Sequence, residues 1–348
     1  MSGAGLKRGK AGECDMGVVH RLYVTWVHDG TRLDVFIHSL LPDISRTKAK
    51  ELSNSGKVLV NGVMRKASYV VREGEVVEVE MPDERRRTIS EQLLTSAKCI
   101  PIEVLYEDEH LLIVNKPRGI VVHPSHTTSG PTLMHALLAA GYKLSDVCGE
   151  SRLGIVHRLD KDTSGCIIIT KTNEAHLNLQ KQFSCREVNK RYIAIIVGNP
   201  NWNEMHIAAP IGRDASNRQR MAIVECSGKH AETHFTVIER YGEFSLVEAR
   251  MLTGRTHQVR VHASHLGYPI AGDAKYNGRK RALSAASKMN DAELLRALTE
   301  FHGQALHALE VNFCHPIFNR QVNVTAPMPY DMQRIIERLR KLNTIFKN

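Results

Sequence analysis

The sequence predicts an α+β protein, with a small N-terminal αα-β module ahead of a larger domain on a mixed, largely antiparallel sheet. Three observations predict it. At 348 residues the chain is too long for one ordinary domain. Its first organised block reads helix, helix, hairpin. From about residue 100 to 328, strand-like and helical runs alternate without a regular βαβ repeat, which disfavours a parallel sheet.

Residues 1–17 carry Lys7, Arg8 and Lys10 but no apolar run after them, so they read as a flexible tail rather than a leader. The module spans 18–82. Leu33, Phe36, Ile37, Leu40 and Leu41 recur at helical spacing up to Pro42. Ser45 is placed to cap a second helix, Arg46 to Ser55, which Gly56 ends. Asn61-Gly62 between apolar runs is a strong hairpin signal, and Val76 to Glu80 alternates as a strand does. Residues 83–99, opening Asp83-Glu84-Arg85-Arg86-Arg87, read as a charged linker.

The domain over 100–328 offers strands at Leu111–Asn115, Cys166–Thr170, Tyr192–Val197, Phe244–Met251 and Val311–Cys314. Its helices are expected at Thr132–Ala140, Glu174–Glu187 and Thr256–Leu266. The polar stretch 280–302 reads as an insertion or surface helix, and 329–348 as a basic C-terminal helix.

The formal charge is +10, from 47 Lys and Arg against 37 Asp and Glu. Such an excess suits a polyanion, because each neutralised phosphate releases counterions. The seven cysteines are scattered and none forms a Cys-x-x-Cys pair, which fits reduced thiols in a cytoplasmic protein. No apolar run approaches the ~20 residues needed to cross a bilayer, so no membrane partner is expected. A Walker or dinucleotide-type Gly loop is also missing, and no cofactor is expected. His257, His262 and His265 cluster, but i, i+5 spacing does not share a helical face. No metal is expected either. A monomer is the default.

On the second helix Arg46 and Lys50 share a face, with Lys48 beside them and Lys57 just beyond. Taken alone, these residues fit a solvated helix face. The order of elements, with Arg32-Leu33-Asp34, Ser45-Arg46 and Gly56-Lys57-Val58-x-Val60-Asn61-Gly62, resembles the small RNA-binding module named after ribosomal small-subunit protein four. That resemblance implies that Arg46, Lys48, Lys50 and Lys57 face structured RNA.

The segment His157-Arg158-Leu159-Asp160-Lys161-Asp162-Thr163-Ser164-Gly165 is polar, turn-rich and runs straight into an apolar strand. A loop fixed by a buried strand suits catalysis, and it equally suits a salt-bridged turn. This segment resembles the signature of the pseudouridine synthases that modify large-subunit ribosomal RNA and some transfer RNAs. Further motifs follow in that family's order: Asn115-Lys116-Pro117, Lys190-Arg191-Tyr192, Pro210-Ile211-Gly212-Arg213-Asp214, Thr253-Gly254-Arg255-Thr256-His257-Gln258-Val259-Arg260, Gly272-Asp273 and Leu306-His307-Ala308. The resemblance implies isomerisation of uridine without cofactor or metal. It assigns Asp160 as the catalytic carboxylate, Arg260 as its ionic partner and Tyr192 as the ring beneath the target base. His157, Arg158, Arg255 and His257 are expected to contact RNA. Ribosomal RNA is favoured as partner over transfer RNA, and the alternative is an inactive RNA-binding or ribosome-assembly protein.

Overall fold

Apolar residues at i, i+3, i+4 and i+7 put Leu33, Phe36, Ile37 and Leu40 on one buried face of a helix, and the N-terminal unit is built on it. The computed structural model describes residues 18–41, 44–81, 91–124, 128, 130–217 and 219–345. The chain divides into two units between Ser90 and Glu91. The tail 1–17 and the first part of the expected linker, 83–90, lie outside the described residues.

The first unit runs β1 (Val18–Tyr23), α1 (Leu33–Leu40), α2 (Arg46–Asn54), β2 (Val58–Val60), β3 (Val63–Met64) and β4 (Val76–Met81). Ser45 caps α2 by accepting from the Lys48 amide at 3.1 Å. Asn61 (φ 50°) and Gly62 (φ 76°) are both left-handed, as a tight hairpin turn between β2 and β3 requires. Among the described residues the sheet order is β1-β4-β2-β3, all antiparallel. The strand β1 was not anticipated from sequence.

The second unit opens with α3 (Glu91–Ala97), β5 (Glu103–Glu107), β6 (Leu111–Lys116), α4 (Leu133–Ala139), β7 (Ser164–Thr170), α5 (Asn173–Ser184) and β8 (Asn189–Val197). It continues with β9 (Glu204–Ala208), β10 (Ile211–Arg213), β11 (Met221–Ile223), β12 (Glu232–Arg240), β13 (Phe244–Met251) and α6 (Gln258–His265). It closes with α7 (Gly278–Lys288), α8 (Ala292–Glu300), β14 (Leu306–Cys314), β15 (Gln321–Thr325) and α9 (Tyr330–Ile345). The large sheet has nine strands among the described residues, in the order β5-β6-β7-β14-β8-β13-β12-β9, with β15 on β14. Among the described residues only β7 and β14 pair in parallel. The expected mixed, largely antiparallel α+β architecture is therefore present.

Strand β7 is buried along its whole length, so it shows an unbroken apolar run instead of alternation. Its residues serve two cores. Ile167 and Ile169 join the large cluster that also takes residues of α4, α6, α7, α8 and α9. Cys166 and Ile168 join a second cluster with Leu179, Val311 and Phe313. At the start of β7, Gly165 (φ 112°) passes so close to β14 that an added Cβ would lie 2.2 Å from the Ala308 carbonyl oxygen. Only glycine permits that crossing.

Two expectations about organisation are corrected and a third is extended. The end of the expected linker is the helix α3, whose Ala97 packs with Ile100 and Ala136 of the second unit. The 280–302 stretch is a helical pair, α7 and α8, that sends Ala282, Ala285, Ala286, Leu294 and Leu298 into the core. The expected basic C-terminal helix is present as α9, and it packs into the core. Met332, Ile335, Ile336, Leu339 and Leu342 form its buried stripe, while Arg338 pairs with Asp291 and Arg340 with Glu239.

Candidate active site

The loop carrying Asp160 is held in place by buried polar contacts as well as by its own turn. Lys116, at the end of β6, is fully buried and donates to three carbonyls, of Pro117 (2.8 Å), Ile120 (2.9 Å) and Lys161 (3.0 Å). Burial pulls its ammonium down to about 7, although Asp162 and Asp160 act in the opposite direction. Three acceptors at these distances use all three N–H groups of the charged amine. On the far side of the loop, Gln304 donates to the Thr163 hydroxyl at 2.8 Å, and Ser164 Oγ meets His307 Nδ1 at 2.9 Å. The Thr163 amide closes on the Asp160 carbonyl at 3.1 Å.

So held, Asp160 keeps 16% of its side-chain surface exposed and receives Arg260 Nη1 on Oδ2 at 2.9 Å. Arg260 reaches it from α6, which starts after His257 in the left-handed region (φ 58°). The other edge of the guanidinium forks onto Asp273, Nε to Oδ2 at 2.6 Å and Nη2 to Oδ1 at 3.0 Å. Asp273 is itself buried, and its Oδ1 also accepts from the amides of Lys275 (3.0 Å) and Tyr276 (3.2 Å). Burial opposes the charge on Arg260, but the bonds and charges of Asp273 and Asp160 outweigh it and hold the guanidinium above its ordinary range. One arginine thus spans a buried carboxylate and a partly open one, and its planar fork sets the direction of both.

Two further groups face this centre. Tyr192, on β8, is 3% exposed. Burial, followed by the field of Asp160, pushes its phenol above the usual range, so it stays neutral. His257 Nε2 lies 3.9 Å from Asp160 Oδ2, and its Nδ1 lies 2.8 Å from the Tyr276 hydroxyl. Burial lowers His257 to about 4, leaving a neutral ring at physiological pH. The loop before α6 is shaped by Gln258, which accepts from Thr253 (2.7 Å) and the Arg255 amide (3.0 Å) while donating to the Glu232 carbonyl (2.8 Å).

The other residues singled out from sequence divide into two groups. Arg158 and Arg255 are exposed near the centre, with Arg255 Nε braced on the His230 carbonyl at 2.9 Å. His157 points the other way, which corrects its expected contact with RNA. Its Nε2 accepts from the Ile168 amide at 2.9 Å, its ring packs on Phe183, and burial lowers it to about 3. In the first unit Arg46 and Lys50 are exposed and Lys48 and Lys57 half-buried. Arg46 pairs with Asp34 at 3.1 Å, Lys48 with Glu51 at 3.1 Å and Lys57 with Glu80 at 3.6 Å. His262, one of the clustered histidines, is committed to Thr233 Oγ1 (2.9 Å) and the Ala209 carbonyl (3.1 Å).

Sequence reasoning assigned no role to Lys116, Asp273, Tyr276 or Gln258. For Lys116 a signal existed, a lysine ending the apolar run Leu111-Leu112-Ile113-Val114. For Asp273 nothing in the local pattern shows that it backs Arg260.

Comparison with known proteins places this arrangement. The sequence profile of the RNA pseudouridylate synthase family matches residues 110–265, and that of the S4 domain matches residues 31–77. The chain is 41% identical to the uncharacterized RNA pseudouridine synthase YlyB of Bacillus subtilis, over 89% of this chain and 94% of the relative. It is 42% identical to ribosomal large subunit pseudouridine synthase D of Zymomonas mobilis, over the same shares of 89% and 94%. The like-named protein of Pseudomonas aeruginosa is 39% identical over 90% of this chain and 93% of its own. Among solved structures, human RNA pseudouridylate synthase domain containing 4 aligns with a TM-score of 0.55 and 25% identity, covering 72% of this chain and 97% of that one.

Proposed function

We infer that Asp160 is the reacting carboxylate of this chain, which belongs to the RNA pseudouridylate synthase family and converts uridine in RNA to pseudouridine. The isomerisation breaks the bond from ribose C1′ to uracil N1 and makes one from C1′ to C5. A hydrogen leaves C5 and one is gained at N1, so substrate and product are isomers. The observation that carries the assignment is the ion pair from Asp160 to an Arg260 that is itself backed by Asp273. The Arg260 guanidinium, 2.9 Å from Asp160 Oδ2, fixes the direction of the side chain, and a carboxylate so aimed can add to C1′ or stabilise positive charge there.

Tyr192 carries a ring and a neutral hydroxyl within the field of Asp160. We assign it to hold the uracil during its rotation and to assist proton movement. Arg260 positions the carboxylate. The target base must leave the RNA stack to reach Asp160, at a cost of a few kcal/mol. Arg158 and Arg255, and separately the Arg46, Lys48, Lys50 and Lys57 set of the N-terminal unit, are assigned to the RNA backbone. We assign His257 to the Asp160 centre instead of RNA, on the 3.9 Å approach of its Nε2 to Asp160 Oδ2.

The substrate is structured large-subunit ribosomal RNA, on the strength of the relatives' activity and the S4 domain. The protein acts in the cytoplasm as a monomer. Mapping pseudouridines in large-subunit ribosomal RNA from cells with and without this gene tests the reading. Specific sites should vanish on deletion and return with the wild-type gene but not with Asp160→Asn. An unchanged map would remove ribosomal RNA as substrate.

A further inference from the structure

Arg220 ends the connection between β10 and β11, and its backbone is fixed there. Asp214 Oδ1 accepts from the Ser216 amide (2.9 Å), Ser216 Oγ (2.7 Å) and the Asn217 amide (3.3 Å), and the Asp214 amide donates to the Arg220 carbonyl at 3.1 Å. The Arg220 amide in turn donates to the Asn217 carbonyl at 2.8 Å. Its guanidinium carbon lies 5.2 Å from the centre of the Tyr276 ring, and that of Arg260 lies 5.2 Å from the same ring. The two arginines on this one ring are treated very differently. Arg260 is satisfied by two carboxylates. Arg220 is half-buried, and among the described residues its Nε is buried without a hydrogen-bond partner. Asp214, whose carboxyl feels the Arg220 charge, spends Oδ1 on its own turn.

Buried N–H groups are nearly always paired, so an orphan on a charged group calls for an acceptor from outside the chain. The acceptor must be anionic to answer a guanidinium, and a phosphate answers its forked donors two at a time. We propose that Arg220 grips a backbone phosphate of the RNA at the nucleotide being isomerised, with the Tyr276 ring holding the guanidinium in place. This inference rests on the Asp160 reading. Tyr276 links the two places physically, because its hydroxyl meets His257 Nδ1 at 2.8 Å and the Met221 amide and carbonyl at 3.0 and 3.1 Å. A phosphate held by Arg220 is thereby registered against the carboxylate that attacks the sugar, and the wrong nucleotide is left out of reach.

The test uses the full-length protein and synthetic RNA fragments that the wild type modifies. Each fragment carries one methylphosphonate at a phosphate around the target uridine, with the preceding ribose 2′-O-methylated to keep the neutral linkage stable. Wild type should lose roughly tenfold in affinity at one position, as expected for a charge-assisted contact. Arg220→Gln should lose about the same on unmodified RNA and show no further loss at that position. Its KM should rise with kcat within about threefold, and its salt slope should fall by about one. Arg220→Lys, which keeps charge and bulk, should remain sensitive at the same position, and it carries the test should Arg220→Gln unfold. Equal methylphosphonate penalties in wild type and both variants, or an unchanged KM in a folded Arg220→Gln, would overturn the proposal. Binding is measured in the Asp160→Asn background as well. An active Asp160→Asn would then defeat the Asp160 reading without touching the affinity result for Arg220.

Discussion

Replacing Asp273 by asparagine isolates what the support behind Arg260 contributes. Asp273 Oδ1 accepts from Arg260 Nη2 and from two backbone amides, so an asparagine would keep its oxygen there. Its NH2 group would then face Arg260 Nε across the 2.6 Å now spanned by a charge-assisted bond, donor against donor. One such bond contributes about 1.5–3 kcal/mol, and its loss is aggravated by a buried charge left with one partner fewer. If about 2.7 kcal/mol of this reaches the barrier, kcat falls by about 100-fold. The base-binding surface is untouched, so KM should stay within about threefold. Single-turnover release of tritium from RNA labelled at uracil C5 reads the step directly, since that hydrogen departs when C5 joins the ribose. Thermal unfolding checks that the variant is folded. A folded Asp273→Asn enzyme with kcat within about threefold of wild type would refute the argument that Arg260 must be held from behind.

Other outcomes follow from the same contacts. Lys116→Met fills a similar volume but leaves the Pro117, Ile120 and Lys161 carbonyls without their donor. It should cost about 3 kcal/mol in urea unfolding and depress activity with it, and a stable, active variant would deny Lys116 its hold on the Asp160 loop. Ile335→Ala on α9 should destabilise by about 2–5 kcal/mol if that helix belongs to the core. A change under about 0.5 kcal/mol would take the helix out of the core. Burial lowers His123, His176 and His257 to about 4 and His157 to about 3, against an ordinary 6.5. Between 6.5 and about 4 the unfolded chain therefore binds protons that the native state refuses. Stability is full above pH 6.5 and falls as pH drops, by up to about 1.4 kcal/mol per pH unit for each such histidine. Urea midpoints at pH 7.5 and 5 check this, and equal midpoints would contradict it.

Periodicity and punctuation made much of the fold legible. Ser45, Asn61-Gly62 and the run Phe244–Met251 each act locally, and the structure keeps them as read. What escaped depends on distant partners. In α9 three arginines interrupt the apolar residues, and the pairing of Arg338 with Asp291 and of Arg340 with Glu239 leaves an apolar stripe free to enter the core. His157 sits three residues before Asp160, but which way it faces is decided by the Ile168 amide eleven residues on. The proximity of Asp160 and Arg260 was reached through motif resemblance, because a pair 100 residues apart leaves no local trace. Asp273 shows the limit most clearly. It needs only to end up behind Arg260, and a short acidic side chain after a glycine does not announce that.

The central claim is that the carboxylate of Asp160 carries the reaction, and Asp160→Asn tests it with almost no change in shape. Under single-turnover conditions, with RNA that the wild type modifies, the variant should form no pseudouridine above background while binding that RNA within about threefold of wild type. Turnover by Asp160→Asn at a rate near that of the wild type would contradict the account.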